Sequence, residues 1–291
     1  MNNKYTIKAF AKINISLDVI SKREDNYHNL KMIMHSVTDL YDTLTITPFD
    51  SDENPAINIT SENSVIPLNE NNTIFRAYNE FYKYADIKKP SFLISVDKKI
   101  PVFAGLGGGS SDAAAFLNFL NEYHNNIFTK EKLCEIGNKV GADVPFCIMG
   151  NTYLAEGTGE ILTLVPPLPS CYIVIAKPKD KGLSTKHIFS KVNISKINLH
   201  PDTDGIIEAL KNNDLNGVCK RMYNVLEEYS INECDEILKL KNIFYEFHAL
   251  GSIMSGSGNS VFGIFDNYSD AKKSYDYLKN TSALVFLNHN V

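Results

Sequence analysis

The sequence predicts an α+β protein of two domains, on three observations. Strand-like and helix-like stretches are mixed in both halves of the chain. Between the halves lies Pro166-Pro167-Leu168-Pro169, whose three prolines cannot continue a helix or a central strand. The 291 residues are 44% hydrophobic, enough to build two cores. Cutting at the prolines gives a first domain of residues 1–165 and a second of residues 170–291.

Taken in order, residues 4–20 open with a strand in which Ile13, Ile15, Leu17 and Val19 alternate with Lys12, Asn14, Ser16 and Asp18. On pattern alone the polar row reads as a solvated face. Residues 21–30 carry mixed charges and then Asn26-Tyr27-His28, a turn presenting an aromatic ring and an imidazole. Asn26 tolerates the left-handed backbone that such a turn requires. Leu44 and Ile46 among threonines extend strand structure over 31–49. Residues 50–72 are rich in Asp, Asn, Ser, Glu and Pro and read as loop around a short strand at 56–60. Ile74, Ala77, Tyr78 and Phe81 have helical spacing, in a helix from Asn72 that ends near Pro90, and 92–96 is a strand.

A glycine-rich loop then enters a helix with Ala113, Phe116, Leu117 and Leu120 on one face, Ser110 or Ser111 as its cap and Asp112 at its positive end. Thr129 caps a second helix bearing Leu133, Ile136 and Val140 and ending at Gly141. Residues 152–165 read as strand, tight turn, strand. The second half opens with a strand at 172–176 and a helix near 185–192, followed by a mostly helical stretch over 205–249. Leu250 to Phe265 is a glycine–serine loop before a strand; a helix at 269–280 and a strand at 283–287 close the chain.

The chemistry centres on Pro101-Val102-Phe103-Ala104-Gly105-Leu106-Gly107-Gly108-Gly109-Ser110-Ser111. Glycines allow a bulky ligand to approach the backbone amides, and unpartnered amides at a helix N-terminus seat a phosphate. The expected ligand is a nucleotide. A Walker A loop counted from Gly105 fails, because Ser110 and Ser111 stand where its second glycine and lysine belong. A Rossmann fingerprint fails at its third glycine, again at Ser110. A glycine turn without a ligand is the remaining plain reading.

The net charge of −5 offers no general attraction to a polyanion. The five cysteines are scattered without a Cys-x-x-Cys pair, as expected of reduced thiols. No charged-then-apolar leader is read, and no apolar run approaches the roughly 18 to 20 residues that span a bilayer. A soluble cytoplasmic protein is the expectation. Asp143, between Ala142 and Val144-Pro145, reads first as a turn or helix cap, although it is one of few carboxylates in apolar surroundings.

Three stretches together resemble the signature of the GHMP kinases, the group of galactokinase, homoserine kinase, mevalonate kinase and phosphomevalonate kinase. They are Ala11-Lys12-Ile13-Asn14, Pro101 to Ala115, and Gly251-Ser252-Ile253-Met254-Ser255-Gly256-Ser257-Gly258. The resemblance runs essentially end to end. Arg23-Glu24-Asp25-Asn26-Tyr27-His28 and Gly141-Ala142-Asp143-Val144-Pro145 direct it to the diphosphocytidyl branch, with Asn26 standing where that branch usually has glycine. It implies a two-domain GHMP-kinase-like fold with the active site in the cleft between domains, and ATP with Mg²⁺ as co-substrate and ion. By the same resemblance Lys12 and Asp143 are catalytic, residues 101–111 bind ATP, and Ser110 or Ser111 serves as a metal or phosphate ligand. Asn14, Tyr27, His28 and Phe189 bind the acceptor, a methylerythritol carrying cytidine diphosphate, which is phosphorylated on the non-mevalonate route to isoprenoid precursors. No nucleic-acid or membrane partner is expected, and the assembly is a monomer or weak homodimer. The rivals are a sibling kinase for homoserine or a mevalonate, which would lack the Tyr27-His28 pair, and a nucleotide-binding module without catalysis, against which Lys12, Asp143 and the intact loop argue.

Overall fold

The structure, a computed structural model, describes residues 3–49, 56–63, 65–179 and 182–290. Its strands and helices form an α+β fold that groups into two compact units. The first comprises Met1–Ala11, Leu40–Val102 and Gly107–Gly150; the second comprises Lys12–Asp39, Phe103–Leu106 and Asn151–Val291. The grouping therefore differs from a single cut at the proline run. Val165 N–H donates to Thr152 O (3.2 Å), and Asn290 Nδ2 donates to Leu168 O (2.9 Å) and Pro169 O (3.2 Å), so the prolines are stitched into the second unit.

Two long strands, β1 (Tyr5–Lys22) and β2 (His28–Phe49), contribute residues to both units. In the first unit β3 (Ile57–Thr60) is the expected short strand, and after α1 (Thr73–Tyr84) the chain enters β4 (Ser91–Asp97). The sheet order there is β3-β4-β2-β1, with β4 antiparallel to β2 and parallel to β3. Phe92, Ile94 and Val96 of β4 are buried while Leu93 is exposed, as strand alternation requires. Helix α1 starts where Asn72 Oδ1 accepts from Ile74 N–H (2.9 Å) and stops at Tyr84, short of Pro90, with the backbone extended at its C-cap Ala85. Helices α2 (Gly108–Tyr123), α3 (Lys130–Val140) and α4 (Val144–Met149) complete the unit. Phe81, Phe92, Phe116, Leu120 and Ile136 lie in its core, and Thr129 caps α3 as its sequence position predicts.

The second unit adds β5 (Thr152–Gly157), antiparallel to residues 30–35 of β2, and β6 (Ile161–Leu164), the other arm of its hairpin. Strand β7 (Cys171–Pro178) is followed by α5 (Thr185–Lys191), α6 (Thr203–Lys211) and α7 (Leu215–Cys219). Next come β8 (Tyr223–Asn224), α8 (Glu227–Ile231), α9 (Glu236–Glu246), β9 (Gly251–Met254), β10 (Val261–Phe265), α10 (Tyr268–Lys279) and β11 (Ala283–Asn290). An antiparallel sheet is ordered β11-β7-β10-β9. The stretch expected to be mostly helical is interrupted by β8, two residues that pair in parallel with Ser16 and Leu17 of β1 and are too short to produce a periodic signal. Among the described residues no helix is long and apolar enough to cross a membrane, and the five cysteines form no disulfide.

His35 is 5% exposed in this unit. Asn290 directs its Nδ2 at two carbonyls, so its Oδ1 accepts from His35 Nε2 (2.9 Å), and His35 Nδ1 accepts from the Thr152 hydroxyl (2.8 Å). That pattern fits a neutral imidazole, and burial, opposed by the Asn290 bond, pushes the His35 pKa down from 6.5 to about 4. Its folded pKa lies below the unfolded one, so this contribution to stability is present above pH 6.5 and is lost as pH falls towards 4. His35→Gln, which cannot take up that proton on unfolding, is expected to show a smaller drop in Tm between pH 7 and pH 4.5 than the unsubstituted chain. Equal drops would remove His35 from the acid response.

Candidate active site

Residues 11–19 of β1 are buried on both faces, so the polar row is not the solvated face that alternation suggests. Lys12 is 4% exposed and Asn14 fully buried. A buried ammonium needs hydrogen-bond acceptors, and Lys12 Nζ donates to Asn14 Oδ1 at 2.8 Å. Asn14 Nδ2 in turn lies 3.3 Å from Met32 Sδ.

Around this pair the second unit gathers parts of all three signature stretches. Lys12 N–H donates to Leu106 O (3.0 Å). The Ser255 hydroxyl accepts from Asn14 N–H (3.3 Å) and donates to Gly105 O (2.9 Å). Gly105 has φ +74°, and a Cβ there would lie 2.0 Å from Ser255 O. Gly256 has φ +57°, and its Cβ would lie 3.1 Å from Gly105 O and 3.4 Å from Lys12 Nζ. Both positions require glycine, because backbone and ammonium occupy the space of a side chain.

The remainder of the glycine loop belongs to the first unit. Pro101 and Val102 are half-buried, and the N-cap of α2 is Gly107, with φ +72° and no side-chain cap. The helix thus begins at Gly108, ahead of the two serines expected to cap it. Its first intrahelical bond runs from Ser111 N–H to Gly107 O (2.8 Å), which places the amides of Gly108, Gly109 and Ser110 in the open first turn that suits an anion. The Ser111 hydroxyl donates to Phe10 O (2.6 Å) and is committed to the protein. Of the two serines expected as ligands, Ser110 stays half-buried at the loop. Within 103–106, the stretch that belongs to the second unit, Ala104 and Leu106 are buried, while Phe103 is 63% exposed with a left-handed φ of +52°.

Beneath this helix start, Lys98 Nζ donates to Asp112 Oδ2 (2.7 Å) and to Asp42 Oδ2. Asp42 Oδ1 also accepts from the amides of Lys99 (2.6 Å) and Ile100 (2.8 Å). All three side chains are buried. Asp112, expected at the helix's positive end, instead shares one ammonium with a second carboxylate. Burial, reinforced by Asp42 and opposed by Lys98, raises its pKa from 3.8 to about 7. Its Oδ1, without a hydrogen-bond partner among the described residues, is the natural seat of that proton. Burial alone would lower the Lys98 pKa, but Asp112 and Asp42 outweigh it and the pKa is raised.

Asp143 occupies the N-cap position of α4 with helical φ of −82°, and its carboxylate makes no capping bond. The plain reading as a turn or helix cap holds for its backbone, which lies in the turn closed by Val144 N–H to Gly141 O (3.1 Å), and not for its side chain. In the turn before Tyr27 and His28, two of the residues expected to bind the acceptor, Asn26 has the expected left-handed φ of +66°, and the turn is closed by Arg23 N–H to Tyr27 O (2.8 Å) and Tyr27 N–H to Asp25 Oδ1 (3.0 Å). Tyr27 is 62% exposed. His28 is buried with its ring 5.4 Å from that of Phe189, at 31°. Burial and the nearby Lys22 lower the His28 pKa, favouring the neutral ring that can both donate and accept. Among the described residues no group of three His, Cys, Asp or Glu side chains fits a metal cage.

The sequence reading missed Ser255 as a link, the Asp42–Lys98–Asp112 cluster, and Asn224, whose amide holds the loop that carries Gly256. The paired positive-φ glycines give the site its sharpest test. Gly105→Ala is expected to cost roughly 2 kcal/mol or more, from left-handed strain plus the clash, and to lower ATP-dependent turnover at least tenfold; a variant with unchanged Tm and turnover would show that the loop relaxes freely.

The model of the GHMP kinases N terminal domain matches residues 72–151 and that of the GHMP kinases C terminal matches residues 206–283, on either side of the proline run. A 4-diphosphocytidyl-2-C-methyl-D-erythritol kinase of Clostridium novyi is 43% identical over 284 residues, spanning 98% of this chain and 99% of that protein. One of Lachnoclostridium phytofermentans is 42% identical over 94% of this chain and 92% of its own. The crystal structure of a 4-(cytidine 5'-diphospho)-2C-methyl-D-erythritol kinase superposes with a TM-score of 0.81 at 27% identity, covering 98% of each chain. A homoserine kinase from Cytophaga hutchinsonii shares the fold at TM-score 0.76 and 20% identity, over 97% of this chain and 94% of its own. With near-complete coverage at this identity, the chain belongs to the 4-diphosphocytidyl-2-C-methyl-D-erythritol kinase family of the GHMP kinases.

Proposed function

We propose that the chain transfers the γ-phosphoryl group of ATP to the 2-hydroxyl of 4-diphosphocytidyl-2-C-methyl-D-erythritol, giving the 2-phosphate and ADP, a step of non-mevalonate isoprenoid precursor synthesis. The observation that carries this reading is the buried Lys12–Asn14 pair closed in by the backbones of Gly105 and Gly256, in a chain whose relatives bear that name over almost their whole length. We assign its place of action to the cytoplasm, as a monomer or weak homodimer.

Phosphoryl transfer requires alignment and charge neutralisation more than covalent help from the protein. The acceptor oxygen forms a bond to the γ-phosphorus as the bond to the β,γ-bridging oxygen breaks, and ADP leaves with that oxygen. Open amides at the start of α2 hold the triphosphate, and Lys12 supplies positive charge to the transferring group. Asp143 accepts the proton shed by the attacking hydroxyl, a role worth roughly 10² to 10⁴ in rate. Asn14 orients the acceptor. Tyr27, His28 and Phe189 recognise cytosine by stacking and by hydrogen bonds from the imidazole edge. Mg²⁺ would arrive with the triphosphate, since this ion is commonly held by phosphates, waters and at most a few protein oxygens.

Coupled ADP release with the cytidylated acceptor tests the reading. Turnover is expected with that acceptor and not with homoserine or mevalonate; turnover as fast with either of those would reject it. Asp143→Asn should keep ATP binding and lose at least a hundredfold in kcat. Replacing Tyr27 and His28 together by alanine should weaken acceptor binding and leave the Kd for ATP unchanged, and an unchanged acceptor Kd would remove both residues from recognition.

A further inference from the structure

We propose that Asn224, with Glu227, is a positioning residue for this reaction, acting through the turn that sets Gly256 against the Lys12 ammonium. The inference rests on the reading above that Lys12 serves the transferring phosphoryl group. Asn224 is 2% exposed, at the end of β8, where parallel pairing with Leu17 of β1 fixes its backbone. Both amide protons of its side chain are used on one loop: Nδ2 donates to Met254 O (2.9 Å) and to Gly256 O (2.8 Å). Its Oδ1 accepts from Leu226 N–H (3.0 Å), which fixes the orientation of the amide. Glu227 Oε2 accepts from Met254 N–H (2.8 Å), and its Oε1 is paired with Lys241.

The loop is therefore held from one side by residues 224–230, since the Ser230 hydroxyl also donates to Ser257 O (3.1 Å). On the opposite side its Ser255 hydroxyl grips Asn14 and Gly105. Gly256 lies between these two sets of bonds, beside Lys12 Nζ. A displacement of Gly256 by a few tenths of an ångström either crowds the ammonium and Gly105 O or opens a gap beside them. Small misplacements of this kind are costly for a reaction governed by alignment. Only a primary amide serves at position 224, because two carbonyl oxygens must be met by two donors, and a carboxylate of the same size would face both with repulsion.

The test uses the full chain with Asn224→Ala and Asn224→Asp, assayed at least 10 °C below each Tm. We expect kcat to fall at least tenfold while the Kd values for ATP and for the cytidylated acceptor change less than threefold, a split that loss of stability alone would not produce. A kcat within twofold of the unsubstituted chain overturns the proposal. In a double-mutant cycle under single turnover, Asn224→Ala should lower the residual rate of Lys12→Met by less than twofold; the same loss in both backgrounds would show that Asn224 does not act through Lys12. Hydrogen exchange of the 254–258 amides should accelerate in Asn224→Ala whether or not the chain turns over any acceptor, and unchanged exchange overturns the positioning claim on its own. Should the Asn224 variants fail to fold, Glu227→Gln and Ser230→Ala take their place, each with an expected kcat loss of at least threefold, and unchanged kcat in both overturns it. Absence of ADP release from the unsubstituted chain with unchanged loop exchange in its variants rejects both claims, whereas absence of release with accelerated exchange rejects only the assignment of the reaction.

Discussion

One hydroxyl carries much of the arrangement. Ser255 Oγ accepts the amide of residue 14 and donates to the carbonyl of residue 105, joining points 241 and 150 positions away along the chain. A single small side chain can do this only if the backbones come within hydrogen-bond reach of it, and that closeness is what excludes a Cβ from Gly105 and Gly256. The composition of the glycine-rich segments thus has two distinct causes. Gly105 and Gly256 make room for protein backbone, while Gly107 provides the left-handed step that turns the chain into α2.

The glycine loop is also divided by the two units. Residues 103–106 are bound through Lys12, Ser255 and the Gly105 carbonyl, whereas 107–111 are bound through the α2 turn, Phe10 and the cluster at Lys98. Lys98 Nζ would lie only 3.2 Å from a Cβ at Gly108, so the ammonium packs directly beneath the first residue of the helix. That cation does not merely neutralise Asp42 and Asp112. It ties the end of β4 and residue 42 of β2 to the turn that opens α2.

Most elements were legible in the sequence, because helical spacing in α1 and α3, the cap at Thr129, and alternation in β4 each depend on neighbours a few residues away. The signature residues were legible only by resemblance. Periodicity alone assigned Lys12 and Asn14 to solvent, since an alternating strand with one polar row looks the same whether that row faces water or a buried polar cluster. The N-cap of α2 lies three or four residues ahead of the serines that cap preference points to, because serine is a strong cap while Gly107 achieves the same entry through its backbone conformation. Asn224 could not be found this way: β8 is two residues long, and the partners of its amide lie about thirty positions downstream. The proline run is a sound chain breaker, yet it does not mark a contact boundary, because Asn290 returns from the last strand to bind its carbonyls.

The sharing of one ammonium by two carboxylates has a consequence beyond the loop. Burial, opposed by Lys98 and reinforced by Asp42, raises the Asp112 pKa above its unfolded value, so this group favours the folded state most in acid and progressively less as pH rises. His35 in the second unit has the reverse preference. The two groups therefore answer a fall in pH with opposite signs, so an acid titration of stability reads their difference and not either group alone.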